Sequence, residues 1–249
     1  MSLALYPGCV IRTVHPEVEK AVKETLSRLG VSFQEKTEAS CCAPSWFFSL
    51  SREAWLRLNE RNMRIFKSTV VTACDDCFAS LSDAFRVLAS RNGVKPPEVK
   101  PFQALLLERL REVKPRLGFT GLRCAVQHSC RFLRPSGRGL DNPEDPKIVK
   151  SVLEMLGFLP VSYERELDCC GGFLSDENIG REMARVKAGS AEKAGADCIV
   201  ATCSHCMLRL SPVSNIPVLH LAQLSAFSLG LDPVQAGFPE ALLRRMVKR

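Results

Sequence analysis

The chain has 249 residues, 46% of them hydrophobic and 24% charged, which is enough to build a sizeable apolar core without cross-links. Its formal net charge of +7 is scattered except for the basic end LLRRMVKR, and no nucleic-acid motif accompanies it, so nucleic-acid binding is not expected. The opening MSLALYPGCV lacks a secretory pattern, and the most apolar run, Val218 to Leu231, falls short of the ~20 residues of a membrane span and carries His220 and Gln223, so no transmembrane segment is expected. A cytoplasmic protein follows, meeting a membrane only through partners. That compartment disfavours disulfides, and the 12 cysteines need another explanation.

The first element, SLALYPGC, reads as a short buried strand ending at Cys9. A helix follows. Pro16 suits its first turn, Val18, Val22, Leu26 and Leu29 form one face, and Gly30 ends it. VSFQEK is a second strand and leads to the pair Cys41 and Cys42. REAWLRLNERNMRIF is helical, and TVVTAC is a third strand running into Cys74-x-x-Cys77. After a Pro-, Gly- and base-rich linker near Lys114 to Gly121 the order restarts. RCAVQHSC ends at Cys130. A helix with Asp145 as N-cap and Pro146 in its first position carries Val149, Val152, Leu153 and Leu156 up to Gly157. LPVSYER then precedes Cys169 and Cys170, REMARVKAGSAEKAG is helical, and CIVATC runs into Cys203-x-x-Cys206.

The corresponding cysteines are offset by 121, 128, 128, 129 and 129 residues, so one insertion of seven, in the RPSGRGLD stretch after Cys130, explains most of the drift. A long internal period of this kind means two copies of one domain. The expected fold is α/β: two tandem, internally duplicated domains, residues 1–116 and 117–249, each with a small, mostly parallel sheet flanked by helices. Ligands of open α/β sheets sit beyond the carboxyl ends of the strands, where Cys9, Cys74, Cys130 and Cys203 fall.

Three chemistries compete for these cysteines. Disulfides would leave one of the five in each half unpaired. Zinc takes four thiolates and has no use for a fifth, yet CxxC is a common half-site, so structural zinc in one or both halves stays open. An iron–sulfur cluster uses thiolates as its natural ligands, and five suit an altered coordination. One CxxC is a weak signal. The order Cys, Cys-Cys, CxxC occurring twice is a strong one.

These motifs resemble the B-type component of heterodisulfide reductase, which is built from two cysteine-rich CCG domains. The resemblance spans nearly the whole chain. It rests on YPGC (Cys9), SCCAP (Cys41, Cys42), ACDDCFASL (Cys74, Cys77), HSCRFLRP (Cys130), DCCGG (Cys169, Cys170) and TCSHC (Cys203, Cys206). It implies a noncubane 4Fe-4S cluster on each set of five cysteines, with a disulfide split between the two clusters. It also implies partners: a ferredoxin-like iron–sulfur electron-transfer subunit and a flavin-containing subunit of the same complex, since no GxGxxG follows a strand here. Two positions depart from the family. Ala43-Pro44 follows the first pair where glycine is the family's usual residue, though the first copy often lacks it. Arg131 stands where the family has histidine. Arginine does not deliver protons at neutral pH, so Arg131 is a candidate for anion recognition and nearby His128 for proton delivery. With Arg131 in that place, a small-molecule or lipoyl disulfide, thiol or persulfide becomes as attractive a substrate as the methanogen heterodisulfide.

The remaining candidates read as structural. Cys124 and Cys198 each begin a strand and suit buried small apolar positions. His205, inside CSHC, suits a place beside a cluster more than a ligand; His220 suits a helix start, and His15 a helix cap or an exposed position. Asp75 and Asp76 are expected either to be solvated or to repel anions from the first CxxC.

Overall fold

In the computed structural model, residues 2–93, 95–116, 118, 120–136 and 138–247 are described. Leu117 and Phe119 of the expected linker, Gly137 of the insertion, and Lys248 and Arg249 of the basic end lie outside them.

The first half contains β1 (Leu3–Tyr6), α1 (Cys9–Val14), α2 (Pro16–Arg28), β2 (Phe33–Glu35), α3 (Ser45–Leu50), α4 (Arg52–Ile65), β3 (Val70–Thr72), α5 (Asp75–Asn92), β4 (Val99–Pro101) and α6 (Phe102–Arg109). The second contains β5 (Arg123–Gln127), α7 (Cys130–Leu133), α8 (Ile148–Met155), β6 (Leu159–Val161), α9 (Glu177–Lys193), β7 (Cys198–Ala201), α10 (Ser204–Leu210), β8 (Val218–His220) and α11 (Leu221–Ser228), with α12 (Glu240–Val247) beyond them. The sheets run β2-β1-β3-β4 and β6-β5-β7-β8, every pairing parallel. The chain is therefore α/β with two tandem copies of one unit. The central strands are buried on both faces, as helix-covered parallel strands must be.

Local signals account for most boundaries. Pro16 occupies the first turn of α2, and Ser51 Oγ caps α4 by accepting from Ala54 N at 3.2 Å. Two expectations are corrected. Asp145 does not cap α8; Asp141, from the insertion, accepts from Lys147 N at 2.8 Å and Ile148 N at 2.7 Å, and Asp145 pairs with Lys147 instead. The helix expected from Arg181 begins at Glu177, because Asp176 accepts from Asn178 N and Ile179 N.

The halves pack as an approximate two-fold pair. α2 packs on α11, and α8 packs on α6. Because α2 corresponds to α8 and α6 to α11, one contact is the other viewed from the opposite half, the self-complementary arrangement of a symmetric dimer. The contacts α1–α10 and α5–α7 are related in the same way. Thr25 Oγ1 donates to Ala222 O and Ser228 Oγ to Leu156 O. The buried apolar network is continuous from Leu5 and Val71 of one sheet to Val126 and Val200 of the other. Among the described residues no helix is long and apolar enough to cross a membrane, and the 218–231 stretch divides into β8 and α11.

Candidate metal centre

All ten cysteines of the repeated motif sit at the carboxyl edges of the two sheets. Cys9 opens α1 just beyond β1, and Cys74 stands at the N-cap position of α5 just beyond β3, the neighbouring central strand. Helices leaving these two strands go to opposite sides, which opens a crevice at the strand ends. Cys130 and Cys203 repeat the placement beyond β5 and β7.

The sulfurs form contacts in the same order in each half. In the first, Cys9 Sγ lies 3.7 Å from Cys41 Sγ, and Cys42 Sγ lies 3.4 Å from Cys77 Sγ. Cys41 and Cys42, and likewise Cys74 and Cys77, lie close enough to shift each other's ionisation. In the second, Cys170 Sγ lies 3.3 Å from Cys206 Sγ, and Cys130 with Cys169, Cys169 with Cys170, and Cys203 with Cys206 lie close enough to shift one another's ionisation. Cys74 Sγ and Cys203 Sγ, equivalent positions, lie 3.9 Å apart across the two-fold. Cys9, Cys41, Cys130 and Cys169 are exposed, and the other six are buried. Each group of five thus presents one exposed pair over a buried trio.

Such crowding carries an electrostatic cost. Hydrogen bonds from Cys41 and Cys77 pull Cys42 down to about 7, while the same sharing pushes Cys77 up. Cys169 is drawn well down by Cys130 and Cys170, and Cys130 is pushed up by Cys169 and by burial. Five sulfurs in contact do not all ionise unless cations lie among them. Two thiolates on one tetrahedral metal at about 2.3 Å stand about 3.8 Å apart, close to the contacts seen here. The backbone leaves room for such a group. A side chain at Gly8, φ 95°, would place its Cβ 2.9 Å from Cys77 Sγ, and one at Gly172 would sit 3.2 Å from Cys170 Sγ. Gly171 N donates to Cys169 Sγ at 3.3 Å. The donor set and its surroundings fit a thiolate-bound iron centre.

The turns carrying the cysteine pairs are tied down from the following helix. Asn59 Nδ2 donates to Cys42 O at 2.9 Å, and Asn62 Oδ1 accepts from Ser40 N at 2.8 Å. Lys187 and Ser190 do this work in the second half. Lys187 Nζ donates to Arg165 O, Glu166 O and Asp168 O, and Ser190 Oγ accepts from Arg165 N. None of these four is among the residues expected from sequence to serve the site. A signal for them exists: each pair is separated by 128 residues, the offset of the cysteine pairs themselves.

Asp75 and Asp76 are not solvated. Both are buried. Asp75 accepts from Gln103 Nε2 at 2.6 Å and, across the two-fold, from Thr202 Oγ1, and burial pushes it up to about 7. Burial pushes Asp76 up to about 6. Arg131, from the second half, brings Nε to 3.4 Å from Asp76 Oδ1, and His205 brings Nδ1 to 3.8 Å from Oδ2. Arg131 therefore reaches across between the halves. It also lines a cavity of about 330 Å³ with Phe48, Arg52, Trp55, Ser80 and Asp83. His205 donor atoms gather with the Cys74 and Cys203 sulfurs within 4.8 Å. Burial works against its charged form, but Cys74 and Asp76 outweigh that and raise it. His128 lies beyond the end of β5 at Gln127. It is buried, its Nε2 is 3.0 Å from Glu166 Oε1, and that carboxylate also takes Lys150. Cys124 and Cys198 face each other in register on β5 and β7, buried and unbridged at 3.7 Å, as small apolar residues would be. His220 caps α11, accepting from Ala222 N on Nδ1. His15, half-buried at the start of α2, pairs with Glu17 at 3.4 Å.

With this geometry in place, comparison with known proteins settles the lineage. The cysteine-rich CCG domain matches residues 3–82 and again 124–211. The chain belongs to the CCG cysteine-rich domain family. It is 30% identical over 285 residues to the B-type component of the ferredoxin:CoB-CoM heterodisulfide reductase of Methanosarcina mazei, covering 96% of this chain and 92% of that one. It is 26% identical over 267 residues to the 8-methylmenaquinol:fumarate reductase membrane anchor subunit of Wolinella succinogenes, covering 94% of each. Among solved structures a hypothetical protein from Helicobacter pylori shares the fold, with a TM-score of 0.74 at 13% identity. That match covers 95% of this chain and 50% of the other.

Proposed function

We propose that this CCG protein is the iron–sulfur subunit of a heterodisulfide reductase-like complex, in which halves 1–116 and 117–249 each hold one noncubane 4Fe-4S cluster. The observation that carries this reading is the meeting of two five-sulfur groups at the Cys74–Cys203 contact. Cys9, Cys41, Cys42, Cys74 and Cys77 would hold one cluster, and Cys130, Cys169, Cys170, Cys203 and Cys206 the other. When bound, the clusters supply single electrons. The reaction is reduction of a disulfide by two electrons and two protons to two thiols, or its reverse. A ferredoxin-like partner, in turn served by a flavin-containing subunit, delivers or removes the electrons.

The side chains divide the remaining work. The exposed pairs Cys9/Cys41 and Cys130/Cys169 mark where a substrate approaches. Arg131 offers a fixed positive charge to an anionic group of the substrate, its partner Asp76 being buried and loosely held at 3.4 Å. His128, with Nε2 committed to Glu166, keeps Nδ1 for proton delivery.

A second reading is favoured by the likeness to a fumarate reductase anchor subunit: the same clusters passing electrons between partners without disulfide chemistry. Structural zinc in one or both sites is the further alternative. The test is anaerobic determination of iron, sulfide and zinc, with turnover of a disulfide panel. The expected result is about eight irons per chain, four lost in each of Cys42→Ser and Cys170→Ser, and no turnover in either. Two zincs and no charge-transfer absorption sink the cluster assignment. Full iron without disulfide turnover selects electron transfer alone.

A further inference from the structure

The two cysteine-pair turns are held by the same two helix positions, yet only one hold is charged. In the first half the residue is Asn59, fully buried and neutral, donating to Cys42 O and Trp55 O. Its counterpart Lys187 is 2% exposed, and its ammonium is wrapped by three carbonyls, at 2.7 Å from Arg165 O, 3.0 Å from Glu166 O and 2.7 Å from Asp168 O. The Tyr163 ring closes over it at 5.4 Å. Three acceptors match the three donors of an ammonium, and a ring face adds a further attraction for a cation. This is a site built for a charge. Burial pushes Lys187 down to about 8, which still leaves it protonated at neutral pH.

The neighbouring carboxylates are divided between Lys187 and other cations. Glu166 is engaged by His128 and Lys150, and Asp168 by Arg165, which is half-exposed. Besides Asp168, whose carboxylate is shared with Arg165, the Lys187 charge acts on Cys206, Cys170 and Cys169, three of the five thiols of the second group. A buried positive charge beside a thiolate-rich centre favours its more negative state, because the low-dielectric surroundings screen the interaction weakly.

We propose that Lys187 makes the two centres electrically unequal, so that an electron entering the protein settles on the second centre before the first. This rests on the reading that both groups of cysteines hold clusters. Lys187 touches neither cluster nor substrate in this scheme; it is a positioning residue for the turn and a fixed charge beside it. Equal reduction of the two centres would make a one-electron donor choose between them at random. Unequal centres give electron entry a fixed order.

The test uses the full chain in two backgrounds, Cys42→Ser, which keeps the second centre, and Cys170→Ser, which keeps the first. Iron is counted, and each centre is followed by electron paramagnetic resonance at mediator-buffered potentials. In the first background Lys187→Gln is expected to lower the reduced-to-oxidised ratio at fixed potential about tenfold, which is about 59 mV for one electron. Lys187→Arg, which keeps the charge, is expected to stay within about threefold of its parent by the same relation. In the second background neither change is expected to matter. Should Lys187→Gln shed its iron, the Arg variant decides alone: an unshifted midpoint supports the charge role, and a tenfold shift overturns it. A Gln variant that keeps its iron and its midpoint overturns the proposal, as does loss of second-centre iron from both variants, which leaves Lys187 only a loop-holding role. A parent chain without iron fails at the earlier step, the cluster assignment itself.

Discussion

In the first half Ala43 follows the cysteine pair, and in the second half Gly171 does; φ is 48° at one and 73° at the other. The duplicated unit thus imposes a left-handed turn on both copies, whatever residue is present. What differs is the surroundings. A Cβ on Gly171 would lie 2.6 Å from Gly180 O and 2.8 Å from Gly180 Cα, both backbone atoms of α9. Ala43 is accommodated, buried among apolar neighbours with its carbonyl accepting from Ser80 Oγ at 2.6 Å. The backbone path belongs to the fold, and the glycine in the second copy belongs to a close helix approach that the first copy lacks.

That contrast predicts its largest effect at Gly171. Gly171→Ala adds a left-handed cost of about 1–2 kcal/mol to an overpacking cost of about 1–3 kcal/mol, because the obstructing atoms are main chain. The variant is expected to lose about 2–5 kcal/mol in denaturant unfolding, with iron lost from the second centre first. A loss below about 1 kcal/mol would mean that α9 slides away easily and that the close approach is incidental.

The fourth strands offer another unequal pair, Pro101 ending β4 and His220 ending β8. His220 accepts from Ala222 N on Nδ1 and donates from Nε2 to Ala73 O at 2.9 Å, and burial holds it down to about 4. Its ordinary value is about 6.5, so between those limits the unfolded chain binds a proton that the folded chain refuses. Stability from this residue is therefore intact above about pH 6.5 and declines as pH falls towards 4, by roughly 3 kcal/mol in all. His220→Asn keeps a capping side chain and removes the titration. Denaturation midpoints between pH 7 and 5 should fall less steeply in the variant, and identical slopes would refute the assignment.

Reading the sequence goes furthest where the repeat speaks. The cysteine offsets deliver the duplication, and the alternation of strands and helices around them delivers the parallel α/β class, with Cys9, Cys74, Cys130 and Cys203 two or three residues beyond their strands. The three-residue strands at Val99 and Val218 carry too little pattern to be seen, and the stretch between the first CxxC and the linker yields no element from sequence. Asp145 loses its capping role to Asp141 because the seven-residue insertion folds back over the start of α8. Burial of Asp75 is invisible for a different reason: its partner Thr202 lies 127 residues away in the other half. Contacts across the two-fold leave no local periodicity.

Arg131 tests the same two-fold at smaller amplitude. Its counterpart in the first half, after Cys9, is Val10, so only one side of the site carries this guanidinium. On the proposed disulfide chemistry, Arg131→Ala is expected to keep its iron and to slow turnover of anionic disulfides about tenfold to a hundredfold, the loss of one charge-assisted contact of about 1.5–3 kcal/mol. Neutral disulfides should suffer less. Equal small effects across the panel would reduce Arg131 to a partner of Asp76.

The smallest effect is expected at Ala43, and its smallness is the informative part. Replacing Ala43 by glycine relieves about 1–2 kcal/mol of left-handed strain. Against that stand the greater freedom of glycine in the unfolded chain, about 0.4–1 kcal/mol, and the loss of a buried methyl, about 0.8 kcal/mol. Ala43 is only 2% exposed, so the methyl counts nearly in full. The contributions cancel to within about 0.5 kcal/mol, and Ala43→Gly should unfold at nearly the parent's denaturant midpoint with all its iron retained. A gain of about 1.5 kcal/mol or more would mean that the first copy stores strain beside its cysteines, and a comparable loss would mean that the methyl packs a turn where the second copy needs a bare backbone. Either result would turn a difference of neighbours into a difference between the two centres.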